Sequence, residues 1–335
     1  MNANFINPFR ILGAAVLGCA LCVSWNVASS QEDESCELRN LAINYVRPAG
    51  APKACPATGV LNRSYILCVP SKLNTDPEPV PLVLVFHGAG GSADTFKGRV
   101  QFELRGSTDE FITAYPNGCE QVEIPNPNDP LKTIRVVSCN GGNWNGQSVE
   151  KRGVSEIWGI DDISFIGQII EDIRLRYPLT KIYAFGHSKG GILAYTLACD
   201  RPDIFSAIGV TASTLTDATC NLPDGVSIFH VHNLRDVNVP FEGGGDNNWP
   251  SARDGLQFWA AKNRCILPTS EQDFSEDMCL EAVCETDLNL ELCLLDSPGF
   301  EGFDAHNYNT YDAAFMAGNK KHKNIRDAFV ERYLE

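Results

Sequence analysis

The chain has 335 residues, of which 44% are hydrophobic and 21% are charged. This apolar content is too high for an intrinsically disordered protein, and a net charge of −15 argues against a broad basic surface for nucleic acid or anionic lipid. The length suits one large domain or two small ones.

The first thirty residues predict a secretory signal. One arginine and no acid precede an apolar run over 11–23, and small residues at 28–30 lead into an acidic stretch. The run is shorter than the roughly 20 residues that cross a bilayer, so we expect no integral membrane span. A lipoprotein signal, with the lipid on Cys19, is the alternative. We therefore expect a secreted or periplasmic protein with a signal peptide over 1–30 and a single domain over 31–335.

From residue 64 onwards, short apolar runs alternate with amphipathic stretches. The runs predict strands at 65–69, 82–86, 111–115, 181–185, 207–211, 226–232 and 290–295. The amphipathic stretches predict helices at 161–176, 190–198, 252–262 and 325–333. Strands that alternate with helices indicate a mostly parallel sheet with helices on both faces. Two further segments are expected to be a loop insertion at 119–139 and a surface excursion at 268–285.

Of the 13 cysteines, two lie in the predicted signal and 13 − 2 = 11 remain, a number that favours disulfides in an exported chain. Their spacing does not fit a zinc finger, and we predict no metal site. We expect two local pairs, Cys119–Cys139 and Cys199–Cys220. Cys265 has three candidate partners, which are Cys279, Cys284 and Cys293. The odd total leaves at least one cysteine unpaired or bonded outside the chain.

The segment Gly186-His187-Ser188-Lys189-Gly190 lies between a predicted strand and a predicted helix. A G-x-S-x-G sequence in that setting is typical of a nucleophile elbow, a tight turn that lifts the serine hydroxyl above the sheet. The hydroxyl then lies at a helix N-terminus, whose dipole favours developing negative charge. We therefore predict Ser188 as a nucleophile.

A second glycine-rich segment, His87-Gly88-Ala89-Gly90-Gly91, directly follows the predicted strand at 82–86. Glycines let backbone N–H groups approach a substrate oxygen closely. In folds with such an elbow, this loop supplies one oxyanion donor and the residue after the nucleophile supplies the other. The predicted oxyanion hole comprises Gly88, Ala89 and Lys189, and His87 is expected to be structural.

A serine nucleophile needs a base, and the base needs an acid that orients it. Asp236 is the predicted acid, because it lies at the exit of the predicted strand at 226–232, 236 − 188 = 48 residues after Ser188. Asp246 and Asp254 are alternatives that lie further from any strand end.

His306 is the predicted base. It lies in a loop after the last predicted strand, 306 − 236 = 70 residues beyond the acid. His322 is the other candidate, but it lies among lysines, a setting that suits a solvated helix start. The resulting order of serine, aspartate and histidine is the order found in α/β-hydrolases.

Several motifs in chain order carry a more specific resemblance. They are Arg63-Ser64-Tyr65, residues 81–91, Tyr115-Pro116-Asn117-Gly118, Asp161-Asp162, residues 186–191 and His232…Asp236…Val239-Pro240-Phe241. Over residues 60–310 the chain resembles the secreted polyhydroxybutyrate depolymerase, feruloyl esterase and acetylxylan esterase group, related to carbohydrate esterase family one. The resemblance implies an α/β-hydrolase fold with Ser188, Asp236 and His306 as the triad. The group usually has Gly-Gly-His followed by Trp-Pro at the histidine, whereas this chain has Asp304-Ala305-His306-Asn307-Tyr308.

These patterns predict an exported serine carboxylic-ester hydrolase that forms an acyl-enzyme and needs no cofactor. We expect a monomer that acts on feruloyl or acetyl esters of polysaccharide, with a polyhydroxybutyrate polyester or oligomer as the alternative substrate. A catalytically inactive binding protein of the same fold is the alternative of another class, and a peptidase is a third. Trp144, Trp158 and His187 are the predicted substrate contacts, with Trp249 as a further stacking candidate. The Lys189 side chain is expected either to steer anionic acyl groups or to point outward.

Overall fold

A computed structural model of the chain describes residues 35–46, 58–75, 78–126, 129–146, 154–217, 220, 225–268, 278–300, 303–319 and 321–335. All of these lie within one compact unit, Asp33–Glu335. The predicted signal at 1–30, with the alternative lipid site Cys19, lies outside the described residues, as do residues 269–277 of the predicted surface excursion. No helix in the described ranges is long and apolar enough to cross a membrane.

Nine strands of the described residues form the central sheet. In order across the sheet, they are β1 (Ser35–Val46), β2 (Thr58–Val69), β4 (Ile112–Pro116), β3 (Val80–Phe86), β7 (Leu179–His187), β8 (Phe205–Thr211), β9 (Ser227–Asn233), β13 (Leu290–Leu295) and β11 (Cys279–Glu281). The six strands from β4 to β13 pair in parallel. The strands β1, β2 and β11 pair antiparallel at the two edges. The predicted mostly parallel sheet is confirmed, and all seven predicted strands are part of it.

The helices cover both faces of this sheet. They are α1 (Ala93–Val100), α2 (Phe102–Asp109), α3 (Val154–Trp158), α4 (Asp162–Arg174), α5 (Lys189–Asp200), α6 (Ala252–Lys262), α7 (Phe303–His306), α8 (Tyr308–Gly318) and α9 (Ile325–Tyr333). Side chains alternate along a strand, so Leu82 and Leu84 pack into a core with α4, α5 and α6, while Val83 and Val85 pack into a second core with α1, α2, α8 and α9. Strands buried on both faces explain why they read as unbroken apolar runs.

The insertion at 119–139, predicted to be a loop, is instead the larger part of a β-hairpin. Its strands are β5 (Cys119–Asn126) and β6 (Asp129–Asn143), which pair antiparallel. Proline and asparagine are typical of loops, so the composition did not indicate the strands. The strands are joined by cross-strand pairs such as Val122 with Val136. The prediction of a surface excursion at 268–285 is also partly wrong. In this segment β11 extends the central sheet, and β12 (Val283–Cys284) pairs with β10 (Cys265–Ile266).

Within the described ranges, five disulfides join neighbouring segments of the fold. The predicted pairs Cys119–Cys139 and Cys199–Cys220 are both present. The Cys265 bond goes to Cys284, one of its three candidate partners. Two further bonds cross paired edge strands, Cys36–Cys68 and Cys279–Cys293. The remaining cysteine of the eleven, Cys55, lies outside the described residues.

Candidate active site

A sharp turn between β7 and α5 presents Ser188. Its backbone has φ 55° and ψ −122°, a conformation that a non-glycine residue adopts only when the surrounding structure holds it there. A Cβ at Gly186 would overlap the carbonyl oxygen of Gly190, and a Cβ at Gly190 would overlap that of Phe86. Both glycines of the G-x-S-x-G sequence are therefore required by close approach of the backbone, as in a nucleophile elbow.

The structure brings the three predicted catalytic side chains together. His306 Nε2 lies 2.8 Å from Ser188 Oγ, and His306 Nδ1 lies 2.7 Å from Asp236 Oδ2. A carboxylate only accepts hydrogen bonds, so His306 Nδ1 carries the proton. His306 Nε2 therefore accepts a hydrogen bond from the serine hydroxyl. This is the proton arrangement that a general base needs before it activates a nucleophile.

Four donors surround the carboxylate of Asp236. The backbone N–H groups of Asn238 and Val239 donate to Oδ1 at 2.9 and 3.0 Å, while Tyr311 Oη donates to Oδ2 at 2.7 Å beside His306. Burial acts to raise the pKa of Asp236, but the hydrogen bonds and the neighbouring histidines outweigh it and lower the pKa below its usual value. The group is thus held as an anion that stabilises a positive charge on the imidazole.

The loop after β3 lies against the nucleophile. A Cβ at Gly88 would lie 3.3 Å from Ser188 Cβ, so any side chain there would crowd the serine. The Gly90 amide donates to Gly142 O at 2.7 Å, and the Gly91 amide donates to Gly88 O at 3.1 Å. These two amides stabilise the loop itself, which leaves Gly88 and Ala89 as the candidate oxyanion donors on this side.

His87 and Trp144 support this loop from beneath. The Gly118 amide donates to His87 Nε2 at 3.0 Å, so His87 Nδ1 carries the proton that it shares with Gly88 O at 2.7 Å. Burial lowers the pKa of His87 to about 4, which keeps the ring neutral in this role. Trp144 Nε1 donates to His87 O at 2.8 Å.

A cavity of about 570 Å³ opens above the serine, a size suited to a small organic ligand. His187 and Trp249 line it, whereas Trp144 and Trp158 do not. Trp144 is fully buried, and Trp158 is buried against the Cys119–Cys139 disulfide. The two tryptophans predicted to contact substrate are therefore core residues, because their large apolar surfaces are satisfied inside the protein.

His187 lies between the cavity wall and the second core. Its Nδ1 is 2.8 Å from Thr211 Oγ1, and its ring packs against those of Phe96 and His306. Burial above all, with smaller effects from nearby positive charge, lowers the pKa of His187 to about 3. It faces the cavity as a neutral ring.

Lys189 places its backbone at the start of α5, next to the nucleophile, but its side chain is buried. Lys189 Nζ is 2.8 Å from Glu156 Oε1, and both side chains are less than 10% exposed. The ammonium group also lies 5.4 Å from the ring centre of Trp249. The expectation that this side chain points outward is therefore wrong, and its charge is balanced by Glu156.

Sequence relatives and solved structures resemble this chain. No protein-family model matches it. Probable feruloyl esterase C of Aspergillus niger is 30% identical over 86 residues, which are 25% of this chain and 32% of that protein. Feruloyl esterase C of Emericella nidulans is 27% identical over 158 residues, covering 38% of this chain and 58% of that protein. The chain thus spans about a third of the length of the first curated relatives that it matches.

The S-formylglutathione hydrolase of Agrobacterium tumefaciens superposes on 90% of this chain and 95% of its own, with a TM-score of 0.51 at 12% identity. The chain has the α/β-hydrolase fold. The fold prediction is therefore confirmed, and so is the resemblance to the esterase group.

The alternative acid and base residues lie away from Ser188. Asp254 is in the first turn of α6, where its amide is capped by Ser251. Asp246 lies on the exposed loop before that helix. His322 Nδ1 is 2.7 Å from Glu331 Oε2. None of these three lines the cavity above the serine.

A series of buried hydrogen bonds that the sequence did not predict lies behind Asp236. His232 Nε2 lies 2.8 Å from the Val239 carbonyl, so it is the protonated nitrogen. His232 Nδ1 must then accept from His230 Nε2 at 3.0 Å, and His230 Nδ1 must accept from Tyr195 Oη at 2.8 Å. Burial lowers the pKa of both histidines, so both rings stay neutral. These hydrogen bonds hold the loop in which the Val239 amide donates to Asp236. Two histidines two residues apart in an apolar strand indicate buried polar side chains. Their spacing did not identify Tyr195 and the Val239 carbonyl as their hydrogen-bond partners.

One group of metal-ligating side chains occurs in the described ranges, away from the cavity. Atoms of Cys279, Glu291 and Cys293 lie within 4.8 Å of one another. The two sulfur atoms are bonded as a disulfide, and Glu291 is paired with Arg332. Thiolate ligands are therefore missing, and the group does not suit a metal ion.

Proposed function

We propose that the protein is an exported serine carboxylic-ester hydrolase. The observation that carries the proposal is the continuous hydrogen-bonded path from Ser188 through His306 to Asp236 at the floor of an open cavity. An elbow serine with a neutral imidazole acceptor and a buried carboxylate is suited to acyl transfer. The sequence relatives named as feruloyl esterases support the same chemistry.

The reaction follows from the geometry. Ser188 Oγ attacks the ester carbonyl while His306 Nε2 takes the hydroxyl proton, and Asp236 stabilises the imidazolium that forms. The amides of the 88–89 loop and of Lys189 bind the oxyanion of the tetrahedral intermediate, and loss of one such donor costs about 3 kcal/mol of transition-state stabilisation. His306 then protonates the leaving alcohol, and a water molecule activated by the same imidazole hydrolyses the acyl-enzyme.

Esters of ferulic or acetic acid on polysaccharide are the proposed substrates. The names of the relatives support the acyl group, and the cavity volume is sufficient for an aromatic acid. Trp249 supplies an aromatic wall, held in place by a 2.6 Å hydrogen bond from its Nε1 to Asn238 O. Five disulfides support an oxidising compartment outside the cytoplasm.

The test compares the wild-type protein with Ser188→Ala on 4-nitrophenyl acetate and methyl ferulate. We expect kcat to fall by at least about 10³-fold, because the nucleophile is lost. Ser107→Ala is the control, since Ser107 lies on α2, does not line the cavity and donates its hydroxyl to Leu104 O within the same helix. Equal rates for wild type and Ser188→Ala would favour the inactive binding protein. Acetylated xylan and a polyhydroxybutyrate film, assayed alongside, distinguish the two proposed substrate classes.

A further inference from the structure

The described side chains that line the cavity above Ser188 include cations and no carboxylates, whereas the protein as a whole is acidic. The chain carries a net charge of −15, yet no aspartate or glutamate is among the described residues that line the cavity. Two cations line it, Arg99 and Lys189. A cavity that excludes carboxylates in so acidic a protein is suited to a negatively charged ligand.

Lys189 contributes no net charge to this cavity. Its ammonium forms a 2.8 Å ion pair with Glu156, and both side chains are buried. Separating the pair to bind a ligand would leave the Glu156 carboxylate buried without a partner, which is costly. The positive charge available to a ligand therefore comes from Arg99.

Arg99 lies on the helix face that borders the cavity. Arg99 follows Phe96 by three residues and Thr95 by four, the spacings that place side chains on one side of a helix, and all three residues line the cavity. Most described arginines form ion pairs, such as Arg253 with Glu242. In the described parts of the chain, no carboxylate lies within 4 Å of the Arg99 guanidinium.

The helix that carries Arg99 is held firmly against the site. Phe96 packs edge-on against Tyr308 with ring centres 5.5 Å apart, and a capping box at Ser92 fixes the first turn. The Ala93 amide donates to Asn117 Oδ1 at 2.7 Å. The positive charge of Arg99 also acts on a residue that lines the cavity, since it is one of the causes that lower the pKa of His187.

We propose that Arg99 binds a carboxylate of the substrate, so that the preferred ester is an anion. A guanidinium binds a carboxylate through two parallel hydrogen bonds, which fixes the orientation of the ester as well as its charge. The inference rests on the proposed esterase function. A carboxylate on the alcohol side would narrow the proposed substrates to feruloyl or acetyl esters of acidic alcohols, whereas a carboxylate on the acyl side would replace these acyl groups by a dicarboxylic acid.

Two pairs of esters, matched in size, test this specificity. On the acyl side, 4-nitrophenyl hemisuccinate is compared with 4-nitrophenyl butyrate. On the alcohol side, 4-acetoxybenzoate is compared with its methyl ester. We expect wild type to prefer the anion in one pair, and Arg99→Gln to lower kcat/KM for that anion about tenfold while it changes the neutral ester less than about twofold. The pair that responds identifies the side that carries the carboxylate.

Two controls separate this contact from a general effect. Lys97→Gln removes a cation of the same helix that pairs with Glu103 and does not line the cavity, so it should leave both ratios unchanged. Raising the NaCl concentration from 0.05 to 0.5 M should reduce the preference for the anion in wild type but not in Arg99→Gln.

The proposal is overturned if Arg99→Gln lowers both members of each pair equally, or leaves both anions unaffected. If the wild-type protein hydrolyses none of the four esters, the proposed function fails, and calorimetric titration with 4-acetoxybenzoate still tests the contact. In that titration, Ser188→Ala should bind the anion about tenfold more tightly than the Ser188→Ala, Arg99→Gln double variant, and equal affinities would refute the role of Arg99.

Discussion

Substituting Gly190 by alanine would separate the two halves of the candidate active site. The added Cβ would lie 2.6 Å from the His87 carbonyl oxygen and closer still to that of Phe86, whereas ordinary contact begins at 3.4 Å. The backbone must therefore part by at least 3.4 − 2.6 = 0.8 Å. This movement separates the glycine-rich loop that follows β3, which carries the proposed oxyanion donors, from Ser188 at the start of α5. A misplacement of about 1 Å costs on the order of 10²-fold in rate, or about 2.7 kcal/mol.

The assay measures kcat and KM for 4-nitrophenyl acetate together with thermal unfolding. We expect kcat of Gly190→Ala to fall about 100-fold. The kcat of Gly88→Ala should fall less, because its tightest contact, 3.3 Å from Ser188 Cβ, requires a much smaller shift. Gly167→Ala is the matched control, since nothing lies within 4 Å of its Cβ on α4 and alanine favours a helix by about 0.5–1 kcal/mol. Unchanged kcat and melting temperature in Gly190→Ala would refute the elbow geometry.

Two predictions concern stability. Asp162→Asn should destabilise the protein by about 3–5 kcal/mol in urea unfolding, because it removes the negative charge that neutralises the buried Arg63 guanidinium at 2.6 Å. Glu242→Gln at an exposed pair should cost at most about 1 kcal/mol. Similar losses in both variants would contradict this reasoning. Burial lowers the pKa of His87 to about 4 and that of His187 to about 3, below the 6.5 of an exposed histidine. Below pH 6.5 the unfolded chain therefore binds more protons than the folded protein. The free energy of unfolding should keep this contribution above pH 6.5 and fall towards pH 4 by up to about 1.4 kcal/mol per pH unit for each histidine. Equal urea midpoints at pH 7 and pH 5 would show that these rings are not buried and neutral.

Local sequence patterns predicted the central part of the fold well and its edges poorly. The strands β3 and β7 are buried on both faces, so their sequences are continuous apolar runs that stand out from their surroundings. The edge strand β1 has mostly exposed side chains, and no such run identified it. The hairpin of β5 and β6 was missed because its pairing depends on cross-strand partners rather than on composition.

For the site, the sequence by itself determined the residues whose chemistry depends on local backbone geometry. The G-x-S-x-G turn at Ser188 and the glycine loop after β3 are strand-to-loop features, so a few neighbouring letters suffice to indicate them. Tertiary structure alone decided that Trp144 is core, that Tyr311 donates to Asp236, and that Arg99 borders the cavity without a carboxylate partner in the described structure. These outcomes depend on contacts between residues far apart in the chain, and burial and hydrogen bonding of that kind leave no periodic trace in the sequence.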